Sequence, residues 1–192
     1  MMADPLEEQL CKIIKQQEWL MEALREVRKL NLPDWYIAVG AVRNTVWNYL
    51  HNYPTTINQN DVDVVYFDCL DMRGKREKIF EKSLRKNLPD LKWEVVNQAR
   101  AHLFNRGPGI TRPAVNSSCE SISYWSETPT CVGVRLEDDD SLTICAPHGL
   151  NDLMSMIVRP APFPYQELPL YRKRRNEKKW HNIWPMLKVE EV

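Results

Sequence analysis

Two acids at the head of an apolar run, Asp61-Val62-Asp63-Val64-Val65-Tyr66-Phe67, constrain this chain more than any other feature. The branched and aromatic residues favour a strand, in which residues i and i+2 share a face, so Asp61 and Asp63 project side by side. Aspartate is a poor strand former, and the run behind it is too apolar for an edge facing water. A lone Asp-X-Asp can be a solvated strand face. The sharper reading is a shared cation, because oxygen-only ligands with room for water and phosphate suit Mg²⁺, with Mn²⁺ as a substitute.

The neighbouring segments frame this strand. Apolar residues at steps of three and four predict one helix over residues 6–30, closed by Pro33. A buried strand over 35–39 enters a tight turn at Gly40, and a helix from near Arg43 carries Val46, Trp47 and Leu50. Residues 51–60 read as a loop, 73–88 as a helix ended by Pro89, and 91–96 as a third strand. Further on, Ser117 and Glu120 suggest a capping box opening a short helix. Strands are expected over 130–136 and 142–145, and a helix over 149–158. This order implies an α/β or α+β fold with a mixed sheet flanked by helices. Residues 1–159 form the expected main domain, N-terminal helix included. Pro160, Pro162, Pro164 and Pro169 then stiffen a connector to a basic, tryptophan-bearing tail within 160–192, packed on the domain or extending from it.

Charge narrows the partners. The 26 Lys and Arg residues balance 26 Asp and Glu, which argues against a surface built mainly for long nucleic acid and leaves a small charged substrate open. No run reaches the ~20 apolar residues of a membrane span, and the N-terminus lacks a signal pattern, so a cytoplasmic protein without membrane contact is expected. Cys11, Cys69, Cys119, Cys131 and Cys145 show no metal-ligand spacing and read as reduced thiols.

Other residues carry candidate chemistry. A strand ending at Gly40 and feeding a helix aims free backbone N–H groups outward, as phosphate binding requires. Arg43, in the first helical turn, opposes the helix dipole unless an anion is near, and is assigned to phosphate. Asn44 either caps or contacts ligand. Glu94, an acid inside the third strand, joins the aspartates if the two strands are neighbours, as a metal ligand or as the base for an attacking hydroxyl. Asn97 and Arg100 follow as possible base or acceptor contacts. Arg135 is expected to pair with Glu127 as structure, and the basic tail to be a solvated helix face.

Taken together, Gly40-Ala41-Val42-Arg43-Asn44 with Trp47, Asp61-Val62-Asp63-Val64-Val65-Tyr66-Phe67-Asp68, and Trp93-Glu94-Val95 leading to Arg100 and His102 resemble a family of bacterial nucleotidyltransferase-like proteins. So do Glu127-Thr128, Val132-Gly133-Val134-Arg135-Leu136 and Arg159-Pro160. The chain looks like a compact member of the DNA polymerase β-like superfamily, with its glycine turn, Asp-X-Asp and later strand acid. The resemblance implies Mg²⁺-dependent transfer of a nucleoside monophosphate from a nucleoside triphosphate to an unidentified acceptor: a small molecule, RNA or protein. It maps Asp61, Asp63 and Glu94 to metal and catalysis. Gly40, Ala41, Arg43, Asn44 and Arg100 form the expected nucleotide-binding set. The second turn position is Ala41, which offers no hydroxyl to phosphate. An inactive nucleotide-binding or protein-interaction module on the same fold, and an RNA-binding protein, are the rival functions.

Overall fold

A computed structural model describes residues 4–54, 61–104, 112–162, 164 and 167–192. Helix α1 (Pro5–Lys15) starts where Asp4 accepts the Leu6 N–H at 2.9 Å, with Pro5 where no helical donor is needed. It does not run on to residue 30. After Leu10, Ile13 and Ile14 the buried stripe calls for an apolar residue at 17 or 18, where Gln17 and Glu18 stand. Gln17 turns extended, and α2 (Glu18–Arg28) restarts with Leu20, Leu24 and Val27 facing inward. The single helix expected there is two.

Strand β1 (Tyr36–Ala38) runs into α3 (Gly40–Leu50), which begins three residues before the expected Arg43. Strand β2 (Asp61–Tyr66), helix α4 (Lys75–Asn87) and strand β3 (Lys92–Asn97) form a crossover unit, so β2 and β3 pair in parallel. Ser117 caps α5 (Ser118–Ile122) by accepting the Glu120 N–H at 3.0 Å. The Glu120 carboxylate reaches the Asn116 N–H at 2.7 Å, one residue upstream of the expected capping-box partner. Strands β4 (Gly133–Leu136) and β5 (Leu142–Cys145) make a hairpin. The helix expected over 149–158 shrinks to one turn, α6 (Asn151–Met154), because Met156 adopts a φ of 56°, and Ile157–Val158 become strand β6. Helix α7 (Leu168–Lys178) and strand β7 (Lys188–Val189) follow, with β7 parallel to β6.

The main sheet has the order β3-β2-β1-β4-β5, mixed as expected, with β2 an interior strand. Alternation sorts its two faces. Ile37, Val62, Val64, Tyr66, Trp93, Val95 and Val134 face the main core beneath α1, α2 and α3. Tyr36, Ala38 and Val65 point the other way, onto a smaller cluster with Ile122, Cys131 and Cys145. By the same alternation Asp61, Asp63 and Glu94 belong to that second face.

The C-terminal segment enters the main core. Tyr171, Trp180 and Trp184 are buried there, Trp47 meets Trp184 edge to face at 5.1 Å, and the Trp184 indole donates to Asn48 at 2.8 Å. The expectation of reduced thiols fails at one pair: Cys119 and Cys145 form a disulfide. Their separation of 26 residues hid it, since only the packing of α5 over β5 brings the two together. Among the described residues no helix is long and apolar enough to cross a membrane.

Candidate active site

The parallel register sets Asp63 opposite Glu94 and Asp61 opposite Lys92, so three acids and a lysine share one face at one end of the β2/β3 pair. Asp61 and Asp63 stand on the same side of the sheet, as the i, i+2 spacing requires. Asp61 and Glu94 are exposed and Asp63 is half-buried. The Lys92 ammonium lies 3.5 Å from Asp61, a solvated pair of little energy. Burial, reinforced by the charges of Glu94 and Asp61, pushes the Asp63 carboxyl up to about 6; Arg43 and Arg174 oppose this.

Gly40 lines the resulting cleft, but the unusual backbone is one residue earlier. Val39 has φ 57° and ψ −124°, a conformation that glycine adopts freely and a β-branched residue does not, whereas Gly40 has no positive φ. The tight turn expected at Gly40 is therefore made one residue earlier, by Val39. A Cβ at Gly40 would meet only Asn44 Nδ2, at 3.5 Å, so what glycine leaves there is open cleft.

Arg43 is buried, and all three of its nitrogens are engaged. Nη1 donates to Thr130 Oγ1 at 2.8 Å, while Nε and Nη2 donate to the Asn44 side-chain oxygen Oδ1 at 3.2 and 3.0 Å. Its guanidinium lies over Trp47 at 4.9 Å and Trp180 at 5.3 Å. Burial draws its pKa down to about 10, with Glu127 and Asp63 acting in the opposite sense, so it is charged at neutral pH. Asn44 thus orients Arg43 from the next position along the helix. Ala41 is wholly buried in the main core and does not line the cleft.

The cleft holds about 470 Å³ between these elements. One wall carries Asp61, Asp63 and Glu94; Arg43, Lys92, Arg174 and Lys178 line it as well. Two of those cations come from α7, in the tail expected to be solvated. Arg100 does not join them. It follows the far end of β3, where its Nη1 donates to Glu77 of α4 at 2.9 Å, so the expected nucleotide contact becomes a structural pair. Arg135 likewise pairs with Glu137, at 2.7 Å, and not with Glu127. The partner of Glu127 is Arg174, at 2.6 Å and 47 residues away. Lys92 was legible as the i−2 neighbour of Glu94 on the same strand face. Nothing local could have joined Arg174 to Glu127.

Among the described residues no three His, Cys, Asp or Glu side chains converge closely enough to form a metal cage. The carboxylates of Asp61 and Asp63, with Glu94 across the register, are the oxygen donors that face the cleft.

The sequence profile of the nucleotidyltransferase family matches residues 25–189. Among solved structures the chain is 29% identical, with a TM-score of 0.82 over 96% of both chains, to one described as a CCA-adding enzyme head domain. The Thermotoga maritima CCA-adding enzyme complexed with tRNA is 16% identical, with a TM-score of 0.55 over 95% of this chain. A CCA-adding enzyme structure with ATP is 16% identical, with a TM-score of 0.51 over 98% of this chain. The chain spans 42% and 41% of the lengths of those two enzymes. A comparison with curated proteins returns no match.

Proposed function

Because this chain belongs to the nucleotidyltransferase family, with the polymerase β-like fold, we propose that it transfers a nucleoside monophosphate from a nucleoside triphosphate to an acceptor and releases pyrophosphate. The observation that carries the reading is one cleft lined by three acids from adjoining strands and by four cations. Acids alone would attract cations and cations alone would bind any anion. Both together suit a polyphosphate that arrives with a divalent ion.

The donor set fits Mg²⁺, or Mn²⁺ in its place. That ion takes one or two carboxylates plus substrate phosphates in preference to a cage made wholly of protein. The Asp63 carboxyl is raised first by burial and then by the charges of Glu94 and Asp61, and a bound cation would offset the latter. Asp61 and Asp63 would hold the ion, which when bound offsets the charge on the triphosphate, with Glu94 beside them to complete the site or act as base. Arg43, Arg174 and Lys178 would steady the phosphates, Arg43 being held rigid by Asn44 and Thr130. Gly40 leaves the cleft floor open, and Glu94, the exposed acid, would accept the proton of the attacking hydroxyl.

Related enzymes, one of them solved with ATP, are in keeping with a nucleotide donor. The acceptor does not transfer with them, because the likeness is one of fold and covers less than half of each. A cytoplasmic location suits a nucleoside triphosphate substrate, although the Cys119–Cys145 disulfide removes the thiol-based ground for it.

The test is incubation with each α-labelled nucleoside triphosphate, Mg²⁺ and a cell extract, wild type against Asp61→Asn/Asp63→Asn. Labelled acceptor and pyrophosphate should form with wild type and fall by about 10²-fold or more in the variant. Equal labelling by both proteins overturns the reading. Mg²⁺-dependent nucleotide affinity without pyrophosphate release would mark an inactive module. Binding of RNA that falls steeply with salt and ignores Asp61→Asn would mark an RNA-binding protein.

A further inference from the structure

Arg43 and Arg174 reach the cleft from α3 and α7, and they share one buried indole: the two guanidinium groups lie 5.3 and 5.9 Å from the centre of the Trp180 ring. Arg174 opposes the charge on Arg43 and Glu127 supports it, while both arginines act on Asp63. A single short turn, Thr128–Thr130, anchors the two. Thr130 Oγ1, at its end, accepts from Arg43 Nη1 at 2.8 Å, and Glu127, which enters it, accepts from Arg174 Nε at 2.6 Å. The turn is pinned in its own right, since the Thr128 N–H donates to the Arg159 carbonyl at 3.0 Å and the Thr128 hydroxyl to Asp152 at 2.7 Å.

Glu127 is wholly buried, whereas the Arg174 side chain is 25% exposed. Both bonds that the Glu127 carboxylate accepts, from Arg174 and from Ser126 at 2.9 Å, end on Oε1. Arg174 is held by its Nε edge alone. Its Nη1 and Nη2 have no hydrogen-bond partner among the described residues, and neither is sealed from solvent. A planar guanidinium gripped at Nε keeps one free fork, aimed by the grip. We infer that Glu127 is a positioning residue for the proposed transfer: it holds Arg174 by one edge so that the two free nitrogens meet the phosphate chain of the nucleotide beside Arg43. The inference rests on the nucleotidyl transfer reading above.

The sign of the charge separates this role from a purely electrostatic one. A carboxylate beside an anion site repels the anion, so its removal should tighten binding. Held geometry acts in the opposite direction. Without Oε1 the long Arg174 side chain recovers its rotamer freedom, and the fork must be ordered again each time a ligand binds. An amide at position 127 keeps an oxygen where Oε1 stands and removes the charge alone. Because Oε1 carries both bonds, that change isolates charge from position.

Inorganic tripolyphosphate with Mg²⁺ is the probe, since it carries a phosphate chain without a base, and the full chain is titrated with it by calorimetry. Glu127→Ala should weaken affinity about tenfold although it removes a negative charge, and Glu127→Gln should stay within about threefold of wild type. Glu127→Ala/Arg174→Ala should bind no more weakly than Arg174→Ala alone, because the whole effect of Glu127 runs through that side chain. Arg174→Lys keeps the charge and loses the Nε grip, so it should lose about as much as Glu127→Ala. Being a change at a partly exposed position, it reads the same grip even where Glu127→Ala does not fold. Unchanged or tighter binding in Glu127→Ala, an equal loss in Glu127→Gln, or wild-type affinity in Arg174→Lys overturns the inference. Any of these alongside Asp63-dependent pyrophosphate release defeats this inference alone. The expected pattern alongside labelling that ignores Asp61→Asn/Asp63→Asn defeats the transfer reading and leaves Glu127 as the residue that aims Arg174 at an anion.

Discussion

Asp63 and Glu94 occupy the same register position on the parallel strands β2 and β3, on the sheet face opposite the main core. Burial, with the repulsion of Glu94 added to it, holds the Asp63 carboxyl at about 6 against an ordinary 3.8. Sign follows from linkage: between those values the native state keeps a proton that the unfolded chain releases, so stability falls as pH rises through that window and is level above it. The loss is at most about 3 kcal/mol, reduced by solvent screening of this half-buried group. Thermal unfolding followed from pH 4 to pH 8 should show the decline, and Asp63→Asn should flatten it. Mg²⁺ should raise the melting temperature above pH 6 and have little effect near pH 4. A wild-type curve that rises across this window would contradict the geometry.

Val39 strains the turn that Gly40 was expected to make. A β-branched residue at positive φ costs about 1–3 kcal/mol, and glycine at such a position costs mainly unfolded-state entropy, about 1 kcal/mol. Val39→Gly should leave stability unchanged or raise it by up to about 1 kcal/mol in urea titration, the reverse of an ordinary Val→Gly change in a folded element. Gly40→Ala should fold normally, since its Cβ has room, yet weaken nucleotide binding by narrowing the cleft. A loss of more than about 2 kcal/mol in Val39→Gly would remove the strain argument.

Arg43 and Arg100 should separate cleanly by titration calorimetry with a non-hydrolysable nucleotide and Mg²⁺. A lysine cannot reproduce the fork that Arg43 makes to Asn44 and Thr130, so Arg43→Lys should weaken affinity about tenfold. Arg100→Lys, at the far end of β3 and paired with Glu77, should change it by less than about twofold and cost under about 1 kcal/mol of stability. Equal losses in both would place the nucleotide elsewhere.

The tail is anchored through Trp184. Trp184→Ala should cost about 3–5 kcal/mol, by opening a cavity beside Trp47 and removing the hydrogen bond from the indole to Asn48. Because α7 presents Arg174 and Lys178 to the cleft, nucleotide affinity should fall in the same variant. Retained affinity, measured where the variant is still folded, would detach the tail from the site.

Strand alternation made the shared face of Asp61 and Asp63 legible, and the interior position of β2 followed from its apolar run. Glu94 was legible as a strand acid, but its register with Asp63 depended on the pairing of two strands. What sequence could not supply came from distant segments. Arg174 reaches Glu127 across 47 residues, Arg112 reaches Glu167 across 55, and Cys119 meets Cys145 only through packing on the second sheet face. Arg100 misled because a polar cluster just after a strand acid reads alike whether it turns toward the cleft or toward α4. The split between α1 and α2 was visible in the missing apolar residue at 17 or 18, yet periodicity counted over the whole span conceals one gap.

Backbone NMR with Mn²⁺ as the probe addresses the central claim most directly, since a paramagnetic ion broadens the signals nearest to it. Titrated in the presence of a non-hydrolysable nucleoside triphosphate, it should first erase Asp61, Asp63 and Glu94, then Gly40 and Arg43, with Arg100 persisting and Asp61→Asn/Asp63→Asn abolishing the pattern. Broadening centred anywhere else, or undiminished in that variant, would contradict a divalent-ion nucleotide site on this strand pair.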